Sequence, residues 1–304
     1  MKPISNMAFY CCGARMQDAA APNPICGDGY AKLFMNDDGQ RIYEKFSSET
    51  FSRTSMTVRH RIIDEVLRQM LLANPNSCFV TIGAGFDSRP YRLPGGTWFE
   101  LDEPQLIAYK DAHLPAWECT NPLRRLAIDF ETDSLEEKLS LISHRGPVIF
   151  ILEGIFIYLN EAQTAKLIET LNRLFPGHLL VCDLVNREMV EKYGQKLRNI
   201  ASEMNATFQL IDQPETIFSK SGYQVKGKIS LVEVSVALGL YKIPDYFLKY
   251  FLKKEIDGNS VYVWLSDKEP ALIQVLPEEP QEQMADVALA EKTHQKTRPG
   301  PGRR

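Results

Sequence analysis

The sequence predicts an α/β fold built on a doubly wound parallel sheet, and three observations carry that expectation. Short apolar segments recur between stretches with helical periodicity. The first of them runs into Gly83-Ala-Gly85, and the next three are each followed by an acid, Asp102, Asp129 and Glu153. Strands separated by helices make βαβ units, which right-handed crossovers assemble into a parallel sheet.

The first long element is a helix over 54–73, where Val58, Ile62, Val66 and Met70 form one apolar stripe. Residues 78–82 are an apolar strand. A second strand covers 97–101, and Glu103-Pro104 opens the helix after it, because proline is tolerated in a first turn. Residues 124–128 give the third strand and 147–152 the fourth. Asn160 and Gln163 form a capping box for a helix that buries Leu167, Ile168, Leu171 and Leu174, and Pro176-Gly177 ends it. The fifth strand is 178–184. Beyond it the pattern predicts a helix near 185–205, a short helix over 214–221 and a strand near 223–229. A helix over 231–254 and a closing strand at 261–265 complete the domain. The aromatics Tyr241, Tyr246, Phe247, Tyr250 and Phe251 are expected to pack in the core or a lid.

The chain has 304 residues, 44% hydrophobic and 24% charged, a globular composition. One domain is expected over 1–276, with cap insertions near 185–215 and 231–260. The stretch 277–304, rich in Pro, Gln, Glu, Lys and Arg, is expected to be a mobile tail. Lys and Arg number 35 against 39 Asp and Glu, for a net charge of −4, so no basic field points to nucleic acid. The longest apolar run, 148–159, is interrupted by Glu153 and is short for a bilayer core of about 30 Å, so no membrane partner is expected. The six cysteines form no C-x-x-C pair and the five histidines no H-x-x-x-H pair, so no metal site is expected. Residues 1–17 lack the apolar core of a signal peptide, which points to the cytoplasm.

Ligands of open parallel sheets sit beyond the carboxyl ends of the strands, near the switch in strand order. Gly83 and Gly85 let a backbone approach a ligand there. A dinucleotide fingerprint needs a third glycine at residue 88, which is Ser88, so nicotinamide binding and oxidoreductase chemistry are demoted. Each acid taken singly is equally a helix cap. Three acids after three consecutive strands, following a glycine loop, form a sharper pattern. Acids accept ribose hydroxyls and attract cations but repel a pyrophosphate, so S-adenosyl-L-methionine suits the pattern best.

The runs over 80–89 (VTIGAGFDSR), 99–104 (FELDEP) and 152–159 (LEGIFIYL) resemble the leucine carboxyl methyltransferase family, and the resemblance extends over about 14–267. It implies a Rossmann-like class I methyltransferase sheet, mostly parallel with an antiparallel last strand, plus extra cap helices. It also implies an S-adenosyl-L-methionine-dependent O-methyltransferase that acts on a carboxylate or hydroxyl of a small molecule. By this resemblance Gly83 and Gly85 line the cofactor, Asp102 holds its ribose, and Asp129 and Phe130 frame its adenine. Glu153 lies beside it below the acceptor pocket, and Arg59 meets its carboxylate. Arg15 is a possible N-terminal basic contact, while Arg89 and Arg92 are structural. The segments 14–18 and 24–28 look closer to the bacterial branch than to the branch that methylates a phosphatase. No catalytic base stands out: His60 is expected on the surface and Tyr158 in the pocket or in packing, and the absence of a base favours a carboxylate acceptor or catalysis by positioning. A non-catalytic cofactor-binding protein is the alternative.

Overall fold

The computed structural model describes residues 6–47 and 50–267, and its seven strands form one sheet in the order β3-β2-β1-β4-β5-β7-β6. They are β1 (Cys78–Ile82), β2 (Thr97–Asp102), β3 (Leu123–Ala127), β4 (Val148–Leu152), β5 (Leu179–Val185), β6 (Tyr223–Ser230) and β7 (Asn259–Ser266). The first five pair in parallel, and β7 runs antiparallel to both β5 and β6. This is the expected mostly parallel sheet with an antiparallel last strand. Strand β1 lies between β2 and β4, so the strand order reverses there and a crevice opens above its carboxyl end.

Helices cover both faces, and every residue of β1 and β4 is buried. Because side chains alternate across a strand, Phe79 joins one core with Ile149, Ile151 and the stripe Val58, Ile62, Val66 and Met70. Val80 and Ile82 join the other with Phe150, Leu152, Ile168 and Leu171. The stripe belongs to α3 (Thr50–Ala73), preceded by α1 (Asn6–Ala19) and α2 (Asp37–Phe46). Then come α4 (Arg89–Arg92), α5 (Pro104–His113), α6 (Leu135–Leu139) and α7 (Glu161–Leu174), the last opened by the predicted Asn160–Gln163 capping box.

Two predicted helices are broken. The helix near 185–205 is α8 (Arg187–Tyr193) and α9 (Gln195–Glu203), parted at Gly194, where a Cβ would stand 2.9 Å from the Val190 carbonyl oxygen. After α10 (Glu215–Lys220), the helix over 231–254 is α11 (Leu231–Ala237), α12 (Asp245–Phe251) and α13 (Lys253–Gly258). Gly239, at φ +73°, and Pro244 interrupt it. The aromatics of α12 are a further correction: Tyr246, Phe247, Tyr250 and Phe251 are exposed, not packed in the core. Helices α8 and α9 instead pack on α1, α2 and the start of α3 through Met7, Tyr10, Tyr43, Met56, Val190 and Ile200. Among the described residues no helix is long and apolar enough to cross a membrane. The stretch 277–304 lies outside the described residues.

Candidate functional site

The loop after β1 is shaped by two glycines at positive φ, Gly83 (+69°) and Gly85 (+50°). A Cβ at Gly83 would fall 2.3 Å from Ile155 Cδ1, so this position is closed to larger residues by both backbone and space. The loop is tied to β2: Gly83 N–H donates to the Leu101 carbonyl at 2.8 Å, and Gly85 N–H to Asp102 Oδ2 at 2.6 Å. Asp102 Oδ1 accepts from Glu103 N–H at 2.7 Å. Asp102 is 7% exposed and pairs with no cation, so burial, only partly offset by the two N–H groups, raises its carboxyl to about 6. Each oxygen keeps a lone pair for a further donor.

Asp129 follows β3 in a tight turn, where its Oδ1 accepts from Glu131 N–H at 3.0 Å and its own N–H donates to Asp133. Phe130 stands next to it, 44% exposed. An exposed aromatic face after β3 is suited to stacking on a planar ring.

On the other side of β1, Glu153 caps β4 inside a dense ionic cluster. Arg59 Nε donates to Glu153 Oε1 at 3.0 Å and its Nη1 to Asp183 Oδ2 at 2.9 Å. Arg89, fully buried, gives Nη2 to Glu153 Oε2 at 2.7 Å, Nε to Asp64 at 2.6 Å and Nη1 to Asp87 at 2.8 Å. Burial by itself would raise the Glu153 carboxyl; the Arg89 and Arg59 guanidiniums overcome it and hold it well below the usual carboxylate range. Arg92 contacts Asp64 and His60, and its Nε donates to Ser88 Oγ, which in turn donates to Asp28. Arg15 Nε donates to Asp28 and its Nη2 to the Phe86 carbonyl, fastening α1 to the glycine loop. Burial would raise Asp28 too, yet Arg15 and Arg92 lower it to about 2.

The cluster corrects one expectation. His60 is not a surface residue: it is 1% exposed, with Nδ1 3.3 Å from Glu153 Oε2 and Nε2 2.7 Å from Arg92 Nη2. Burial and the adjacent Arg89 charge push its pKa down, so it stays neutral at neutral pH. Arg89 Nη2 also lies 2.8 Å from Nδ1, and a neutral ring has one acceptor nitrogen, so it accepts from only one of the two guanidiniums. Arg89 and Arg92 tie the segment after the glycine loop to α3 through Asp64.

The structure thus gathers Arg59 and Glu153 at one end of the crevice and Gly83, Gly85 and Asp102 at its middle. Asp129 and Phe130 stand beyond β3. Sequence reasoning missed Asp183, whose Oδ1 accepts from Gly154 N–H at 2.6 Å. Leu152 pairs with Cys182 in the sheet, so Glu153 and Asp183 are neighbours in register. Gly154, at φ +71°, lets the Arg59 guanidinium pass; a Cβ there would be 3.2 Å from Nη2. Among the described residues, Arg59 Nη2 has no hydrogen-bond partner.

Comparison with known proteins gives the family and the fold. A family model described as leucine carboxyl methyltransferase matches residues 8–172, more than half of the chain. A Mycobacterium tuberculosis protein named as a candidate S-adenosyl-L-methionine-dependent methyltransferase is 29% identical over 189 residues, 56% of this chain and 62% of that protein. The chain therefore aligns with less than two thirds of that relative. The tetracenomycin polyketide synthesis O-methyltransferase of Streptomyces glaucescens is 26% identical over 193 residues, 61% of this chain and 68% of that one. Among solved structures, a DUF574 family protein of Streptomyces avermitilis has a TM-score of 0.55 at 14% identity, covering 78% of this chain and 95% of that one. A candidate methyltransferase of Thermobifida fusca has 0.54 at 13% identity, covering 85% and 94%. At such identities the likeness speaks for the fold.

Proposed function

Because the chain belongs to the leucine carboxyl methyltransferase family, we propose that it is an S-adenosyl-L-methionine-dependent O-methyltransferase acting on a hydroxyl or carboxylate of a small molecule. The observation that carries this reading is Asp102, a buried carboxylate held by two backbone N–H groups and no cation, next to a glycine loop closed to side chains. Its spare lone pairs suit two ribose hydroxyls, and its negative charge is wrong for a pyrophosphate. Helix α4, which follows the glycine loop, spans only Arg89–Arg92, and Arg89 is committed to Asp64, Asp87 and Glu153, so this helix does not offer the N-terminal phosphate site of a dinucleotide fold.

The residues present fit the cofactor. Gly83 and Gly85 leave room for its methionine portion, Asp102 accepts from the ribose, and Asp129 with Phe130 borders the adenine. Arg59 Nη2 is open to the cofactor carboxylate, and Glu153 lies close by. When bound, the cofactor supplies a methyl group already activated on sulfur, for in-line transfer to the acceptor oxygen. The chain's own part is positioning and exclusion of water. The ionic cluster fixes Arg59 and Glu153, and α1, α8 and α9 close over the acceptor side.

The test is a calorimetric titration of the full chain with S-adenosyl-L-methionine, S-adenosylhomocysteine and NADH, followed by an acceptor screen with methyl-labelled cofactor. Binding of the first two, and label transfer to an oxygen, are expected. Binding of NADH alone overturns the reading.

A further inference from the structure

A cavity of about 110 Å³ opens beside Gly154, between the ends of β4 and β5 and helices α1, α3, α8 and α9. Met56, Leu197 and Phe208 are among its apolar walls, and Arg59, Asp183, Tyr158, Ser52, Ser55 and Asn259 are among its polar lining. Arg59 is the one cation among the lining residues, and it already faces two carboxylates, Glu153 and Asp183. The cluster behind it sets Asp28, Asp64, Asp87, Glu153 and Asp183 against Arg15, Arg59, Arg89 and Arg92. With His60 neutral, one negative charge is left over. The single open nitrogen of Arg59 serves one carboxylate, and on the methyltransferase reading that one is the cofactor's. A second carboxylate would be desolvated next to Asp183 with no cation of its own. Tyr158 supplies the opposite kind of group. Its hydroxyl has no hydrogen-bond partner among the described residues, it lies within electrostatic reach of Arg59 and Asp183, and its ring meets Phe208 edge-on at 5.5 Å.

We propose that this cavity is the acceptor site and that it takes a neutral hydroxyl on a single aromatic ring, a phenol, in preference to a carboxylate. This inference rests on the methyltransferase reading and narrows it. The cavity's volume, below the roughly 150 Å³ that holds benzene, leaves no room for more than one small ring inside it. With the cofactor bound, its methyl–sulfur bond would break with the electron pair going to sulfur, and the new carbon–oxygen bond would form at the phenol oxygen. The phenolic proton passes to the Asp183 carboxylate and from there to water. The Tyr158 hydroxyl orients the ring oxygen.

The probes are 4-fluorophenol and 4-fluorobenzoate, matched in ring size, added to the full chain at neutral pH with and without S-adenosylhomocysteine and followed by ¹⁹F line broadening. 4-Fluorophenol is expected to bind at least about tenfold tighter than 4-fluorobenzoate, because like charges repel at a buried site. Leu197→Trp, which fills the cavity, should abolish phenol broadening. Asp183→Asn, which removes the excess charge, should narrow the gap between the probes. Equal or tighter benzoate binding overturns the inference, as does the absence of phenol binding or phenol binding untouched by Leu197→Trp in a folded variant. Calorimetric binding of S-adenosylhomocysteine to the same sample judges the methyltransferase reading separately. If it binds and the probes fail, only the acceptor assignment falls.

Discussion

Asp102→Asn separates the energetics of the site from its function. The wild-type carboxyl is raised from 3.8 to about 6 by burial, against the pull of the Gly85 and Glu103 N–H groups. A carboxyl with a raised folded-state pKa binds its proton more tightly in the native state than in the unfolded chain. Stability is therefore full below about pH 4, falls as pH rises to about 6, and stays low above that. At about 1.4 kcal/mol per pH unit, a shift of about two units costs about 3 kcal/mol at neutral pH. Asparagine removes the charge but accepts at one oxygen only, so one of the two N–H groups loses its partner, at a cost of about 1 kcal/mol. The variant should then be about 2 kcal/mol more stable than wild type near pH 7.5 and about 1 kcal/mol less stable near pH 4. Urea denaturation of the unliganded chain at both pH values, compared at a common slope, measures this. The same variant should bind S-adenosyl-L-methionine more weakly, since it has lost an acceptor for the ribose. A stability difference that does not change with pH refutes the buried-charge argument.

Other substitutions probe the parts around it. Arg89→Ala strands Asp64, Asp87 and Glu153 without their shared cation; it should cost about 3–5 kcal/mol by denaturation, and Arg89→Lys should not restore it because one ammonium cannot span three acids. Arg59→Ala should weaken S-adenosyl-L-methionine binding by about 1.5–3 kcal/mol in calorimetry, the value of a charge-assisted hydrogen bond. An unchanged dissociation constant in a folded variant would show that Arg59 serves only the cluster. Gly83→Ala places a Cβ against Ile155 at φ +69°; it should cost about 1–3 kcal/mol, and Ile155→Ala should recover only the steric part.

What the sequence reveals and what it hides divide along a physical line. Strands β1 and β4 are legible because burial on both faces demands unbroken apolar runs, and Gly83, Asp102 and Glu153 follow from where such strands end. Gly239 and Pro244 are also visible signals, but the aromatic stretch 231–254 invites one helix when read for hydrophobic content alone. The ionic cluster leaves no hydrophobic signature. His60 is about 200° around α3 from Val58 at 100° per residue, so a stripe drawn through Val58, Ile62 and Val66 puts it on the solvent side. That side is covered by Arg89 and Arg92, and a polar surface buried under another polar surface has no apolar period to betray it. Asp183 is hidden differently. It lies within β5, before the strand ends at Val185, so a rule that reads strand ends passes over it. Only the register of β4 on β5 brings it beside Glu153 and onto Arg59. The residue proposed to receive the acceptor's proton is therefore set by sheet pairing, a long-range property that no local spacing in the chain encodes.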